Sequence, residues 1–446
     1  MRGVASDMDV MALARFGLGG RNGDLADGFA RVREEAVKGR IAKPGGGRLP
    51  ATPDLLAELW AAEAAAKKTP DVTATPPAIL QHFLQDVDAR FNGTMLEADT
   101  GFGERLVMFW ANHFTVSRAN GREVAVAAGA FEREAIRPHV YGRFVDMLTA
   151  VESHPAMIWF LDNQESTGPR SHRNASGKFG LNENLAREIL ELHTLGVRTA
   201  YDQSDVTAFA RVLTGWSVAR APAAGAQTGQ FIYIANQHEP GPQTVMGKVY
   251  AENGVDQGKA VLRDLAAHPA TAHHVATQLA RHFVADSPPP QLVARLEACF
   301  RKTDGDLRAM AMTLVTAPEA REAPATKLRL PQEYLSAVQR SAGVRLEPQV
   351  IAGHLARMGQ PLWQPGAPNG YNDAAQVWAT PVSLEARITL ANQVARHPQF
   401  NVDPRTFAAA QMGDRLSDDT GQAIGRAETR PQGIALALLS PEFMRR

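Results

Sequence analysis

The sequence predicts a mainly α fold, a compact multi-helix array with a small β-hairpin insertion. Three observations carry that reading. Apolar residues recur at three- and four-residue spacing along most of the chain, as one buried face of a helix requires. Proline directly follows a helix end at His154-Pro155, His268-Pro269, Ala317-Pro318 and Ser440-Pro441. It is tolerated in a first helical turn and disfavours helix in the residue before it. Only one stretch alternates with the two-residue period of a strand. The proline joints have no fixed period, so a regular solenoid is not expected.

Taken in order, Thr52-Pro53 reads as a cap and first helical residue, with Leu55, Leu56, Leu59 and Trp60 on one face. A helix runs from Pro77 past Phe91, and the next, Glu104 to Phe114, carries Leu106, Phe109, Trp110 and His113 on one side. Helices follow over 124–136, 142–152 and 156–161. Asn182 to Gly196 reads as one helix with a left-handed stop at Gly196. Asp202 caps another, with Asp205 in its first turn, that ends before Gly215-Trp216.

Three segments break the helical pattern. Gln164 to Lys178 is a polar loop, read as a mobile lid over or beside the site. Gln230 to Tyr250 sets Phe231-Ile232-Tyr233-Ile234 against Val245 to Tyr250 across a Pro/Gly turn, as a hairpin. Gln360 to Asn372 is expected to be an ordered loop pinned by Trp363 and Tyr371. The chain then divides into an N-terminal helical region (1–216), the hairpin insertion (217–258) and a C-terminal helical region (259–446), packed as one globule.

Composition bounds the function. With 446 residues there is room for one large core or two to three domains. The 47 basic and 47 acidic residues cancel, which argues against broad nucleic-acid or anionic-membrane binding. The single cysteine, Cys299, excludes an internal disulfide and a thiolate zinc cage, and reads as a small buried hydrophobe. Met1 to Asp9 lacks the apolar core of a secretory signal, and no run of about 18 apolar residues occurs. A soluble protein is expected, cytoplasmic by default, with periplasm or secretion left open.

The chemistry concentrates in Asn182 to Gly196. At about 100° per residue, Asn184, Glu188, Glu191 and Leu195 fall in a narrow arc bordering the apolar stripe of Leu185, Ile189 and Leu192. Carboxylates at a core margin must be paired, hydrogen-bonded or put to use. Arg187, near Glu191 and Asn184, keeps a plain ion-pair network open as the alternative. Glu188 and Glu191 suit one cation, but α-helical geometry puts His193 on the far side. A divalent metal would therefore need His113, Asp205 or His238 from elsewhere, and no metal ligands are assigned. His274, Gln278 and His282 form an i, i+4, i+8 row, read as a solvated face. No nucleophile elbow or phosphate loop is present.

The run Glu104-Arg105-Leu106-Val107-Met108-Phe109-Trp110-Ala111-Asn112-His113-Phe114-Thr115-Val116-Ser117 resembles the first signature of the bacterial family called domain of unknown function 1800. Asn182 to Gly196 resembles its second, and Tyr201 to Trp216, with Asp205, Arg211 and Thr214-Gly215-Trp216, its third. Weaker matches are Ala14-Arg15-Phe16-Gly17-Leu18-Gly19 and Ser440-Pro441-Glu442-Phe443. The chain departs at His193, where an aromatic is commoner, at His238-Glu239 in place of His-Asp, and at Tyr371 in place of Trp. The resemblance implies a mainly helical fold and assigns no activity. Members often sit beside genes for secreted sulfatase-like proteins, which implies such a partner.

The resulting expectation is a polar pocket where the three motif helices meet. Glu188, Glu191, His113 and Asn184 are its catalytic candidates. Trp110 and Trp216 are its walls, and Asn112, Asn182, Arg187, Asp205 and Arg211 its binding residues. Paired carboxylates favour hydrolysis of a sugar-containing or esterified substrate, with the cofactor unknown. The alternative is a non-catalytic binding or maturation partner of a secreted sulfatase-like protein.

Overall fold

The computed structural model describes residues 6–21, 24–67, 77–197, 199–221 and 226–446. Part of the leader reading, on residues 1–5, lies outside them. The fold is mainly α, about 62% helical, with two small two-stranded antiparallel sheets.

The proline joints behave as local sterics require: helices open at Pro155, Pro269, Pro318 and Pro441. Three of the residues before them also act as caps, among them Ser440, whose Oγ accepts the Phe443 N–H at 3.2 Å. Nδ1 of His154 accepts the Ala156 N–H, and Nδ1 of His268 accepts the Ala270 N–H, each at 3.1 Å. Asp202 and Asp205 form a reciprocal capping box on the Gln203–Leu213 helix. The helix expected from Thr52 starts there, with Ala51 in the cap position.

The strand pairing differs from the expected hairpin. Phe231–Tyr233 pairs back onto Trp216–Val218, and Gln243–Val245 pairs with Lys248–Tyr250. The second pair joins close sequence neighbours through a turn at Met246-Gly247. The Phe231 run therefore covers Trp216, whose indole lies 5.3 Å from the Phe231 ring.

Two large apolar clusters make the core. One gathers residues from Val10 to Ala320; the other joins Leu18, Val87, Phe91, Met95 and Met108 to residues between Tyr334 and Phe443. The Phe102–His113 helix serves both, giving Phe102, Leu106, Phe109 and Trp110 to the first and Met108 to the second. Buried arginines tie the clusters together. Arg105 and Arg446 both hold Glu333, at 2.8 and 2.7 Å, while Arg340 donates to the carbonyls of Met95 and Ala98 at 2.7 Å. Among the described residues, no helix is long and apolar enough to cross a membrane.

Candidate functional site

The second motif begins as the expected α-helix, Asn184–Glu188, then widens into a π-helical turn over Ile189–Thr194. The Leu195 N–H reaches back five residues to the Leu190 carbonyl at 3.0 Å, and Gly196, at φ +91°, closes the turn. A helix end leaves its last carbonyls without backbone donors. Here two histidines from other elements supply them. His274 Nε2 lies 3.0 Å from the Leu192 carbonyl, and His113 Nε2 lies 3.2 Å from the His193 carbonyl. A carbonyl can only accept, so Nε2 carries the proton in both rings. The neutral rings therefore keep their lone pair on Nδ1, which has no hydrogen-bond partner among the described residues.

The π-turn also changes which residues share a face. Bonding at five-residue spacing narrows the angle that α-helical spacing sets between Glu188 and His193. His193 is buried, with Nδ1 2.8 Å from Glu152 Oε1, and its imidazole acts on the Glu188 carboxyl. Burial pushes Glu188 above the ordinary carboxylate range; Glu191 and Glu152 push the same way, against His193 and Arg187. Glu191 accepts from the Tyr201 hydroxyl at 3.3 Å.

His113 and His274 line a cavity of about 320 Å³ together with Phe109, Asn112, Gln278, Arg281, Asn372 and Asp373. Burial, with His274 and His193 nearby, holds His113 well below the ordinary imidazole range. Burial also lowers His274, and Arg281 and His193 lower it further. The two rings lie 5.9 Å apart and are neutral at pH 7. One wall of the cavity is the Gln360 to Asn372 loop, which is pinned as expected. Asn112 pairs with the Tyr371 backbone, donating to its carbonyl at 2.9 Å and accepting its N–H at 2.7 Å. Gly370, at φ +71°, is needed there, since a Cβ would stand 2.5 Å from the Asn112 carbonyl oxygen.

The row His274, Gln278, His282 is not a solvated face. His282 is buried, bonded through Nδ1 to Asp373 at 2.8 Å, and His274 is half-buried at the cavity. The Pro269–Phe283 helix packs this side against the π-turn and the 369–373 loop, contacts that its own sequence does not contain. Burial alone would raise Asp373, yet His282 and Lys327 beside it hold it below the ordinary carboxylate range.

Of the residues singled out from the sequence, His113 and Asn112 line this cavity. Glu188, Glu191, Asn184 and Arg187 do not belong to its lining; the turn that follows Glu188 meets it through the His193 backbone, whose carbonyl holds His113. Asn184 is exposed, and Arg187 pairs with Glu183 at 3.0 Å. Asn182 donates to the Leu161 and Asp162 carbonyls at 3.3 and 3.2 Å. Asp205 completes its capping box and accepts the Met246 N–H at 2.6 Å. Arg211 is half-buried, with Nε unpartnered. Trp110 and Trp216 are core side chains, 2% and 0% exposed, and neither lines the cavity.

The Gln164 to Lys178 loop is fastened away from this cavity. Its Gly168 N–H donates to the Gln237 carbonyl at 2.8 Å, and Arg170 clasps the buried Glu239 carboxylate at 2.6 Å. Sequence reasoning passed over Glu152, Arg281, Asn372 and Asp373. The spacing of His274, Gln278 and Arg281 was the one available signal. Among the described residues, no group of three or more His, Cys, Asp or Glu side chains is placed to hold a metal ion.

No curated protein and no solved structure matches the chain. A family model described as "Protein of unknown function (DUF1800)" matches residues 11–445. With almost the whole length and all three motif runs inside that match, the chain belongs to the DUF1800 family.

Proposed function

We propose that the protein is a hydrolase-class acid–base catalyst that acts on a small sugar-containing or esterified substrate, with His113 as general base. One observation carries the reading. Neighbouring backbone carbonyls engage the Nε2–H groups of His113 and His274, which leaves these two rings of the cavity lining with an unprotonated Nδ1 each. Such a ring takes a proton from water or a hydroxyl as that oxygen attacks the substrate. Glu188 and Glu191 are then positioning residues. They set the field at His193, whose carbonyl orients His113.

His113→Gln tests this, because the glutamine amide keeps a donor for the His193 carbonyl but removes the base. Hydrolysis across a panel of chromogenic esters and glycosides should fall by about 10²–10⁴, with little change in melting temperature. Wild-type turnover in the variant would sink the proposal. The acid limb of kcat/KM should lie below the ordinary imidazole value of 6.5, since burial keeps His113 neutral there.

A second reading, a non-catalytic partner of a secreted sulfatase-like protein, draws on Asn182, Asp205 and Arg187. All three spend their polar atoms on local structure, as scaffold residues do. It expects co-purification with such a protein that survives His113→Gln.

A further inference from the structure

Arg281 lines this cavity half-buried and forms no ion pair among the described residues. Its one polar side-chain contact is a long 3.5 Å approach of Nη1 to the neutral Gln278 Oε1. The cavity's only lining carboxylate, Asp373, is already engaged by His282 at 2.8 Å. The nearby Asp286 is bonded to Lys327 at 2.9 Å and to the Ala375 N–H at 2.9 Å. A partly desolvated guanidinium without a counter-charge is costly unless a ligand supplies one.

The other polar groups point the same way. Gln278 uses its Oε1 on Arg281, and Asn372 uses its Oδ1 on the Ala374 N–H at 2.8 Å. Both side-chain NH₂ groups are left as donors among the lining residues. The lining rings of His113 and His274 add Nδ1 lone pairs as acceptors. A matching ligand carries an oxyanion at one end and a hydroxyl or water-bearing group at the other.

From this we infer that the cavity binds an oxyanionic ligand, a carboxylate or a phosphate- or sulfate-type group, seated on Arg281, Gln278 and Asn372. The inference rests on the same cavity as the proposed hydrolase and names the charge of its substrate.

Titration of the intact protein with inorganic phosphate, sulfate and acetate at constant ionic strength is the test, with chloride as control. Calorimetry should show saturable binding of at least one oxyanion and none of chloride. The preferred anion separates the phosphate or sulfate source from the carboxylate source. Arg281→Met should weaken binding at least tenfold, while Arg281→Lys retains part of it. In the wild type, binding should also shift the His274 ring resonances and raise their titration midpoint, because Arg281 now depresses that ring. This second readout decides the matter if Arg281→Met does not fold. Equal binding by a folded Arg281→Met, or no oxyanion response in either readout, overturns the inference. Saturable oxyanion binding by a wild type that hydrolyses nothing on the ester and glycoside panel would sink the catalytic reading and leave this one standing.

Discussion

Glu188 shows how one residue can be half-buried among like charges and still be tolerated. Burial raises its pKa above the ordinary 4.5, and Glu191 and Glu152 add to the shift. For an acid with a raised folded pKa, the folded state holds its proton longer than the unfolded one. Stability is then full below about 4.5 and is lost as pH rises through the folded value. Glu188→Gln removes this term. Relative to wild type, the variant should gain stability as pH rises from 4.5 towards neutrality, read by urea melts at a series of pH values. A variant less stable than wild type at pH 7, with no such trend, would mean that the charge is structurally required.

At the scale of the element, the π-turn is held by donors that come from outside it. His274 caps the Leu192 carbonyl, and His113 caps the His193 carbonyl. Removing one partner of a hydrogen bond costs about 1 kcal/mol or more if the acceptor stays dry. His274→Leu should therefore destabilise by about that amount, while His274→Gln, which restores an N–H near Nε2, should recover most of it. Equal denaturation midpoints for the two variants would show that the capping bond contributes nothing.

Across the whole molecule, Glu333 joins distant parts of the chain. It sits between Arg105 of the first motif helix and Arg446, with His282 Nε2 3.7 Å away. Burial would raise Glu333, but Arg105 and Arg446 outweigh it and hold the carboxyl far below its ordinary range. Its contribution is present above the ordinary 4.5 and is lost only as pH falls through the depressed folded value. Glu333→Gln leaves two buried guanidinium groups without their counter-charge. The expected loss is on the order of 3–5 kcal/mol at pH 7, measured by chemical denaturation. A loss under about 1 kcal/mol would show that solvent or other carbonyls already satisfy the arginines.

The sequence by itself determined the helical class, the proline joints, the Asp202–Asp205 cap and the glycine stop at Gly196. These depend on local sterics and on hydrogen bonds within a few residues, so the local sequence suffices. It also drew attention to His113 and Asn112, through their place on an amphipathic helix and the family resemblance. Tertiary structure decided the rest. A π-turn differs from an α-turn by one residue of hydrogen-bond register, a small energy difference that the surrounding packing settles. That register accompanies a buried His193 bonded to Glu152, 41 residues away in the chain. Whether His282 meets water or Asp373 depends on a loop 91 residues away. Strand pairing between Phe231–Tyr233 and Trp216–Val218 likewise turned on which neighbour the folded chain offered. The polar cavity exists only where those long-range contacts converge, because its lining is drawn from a helix end, a second helix and a pinned loop.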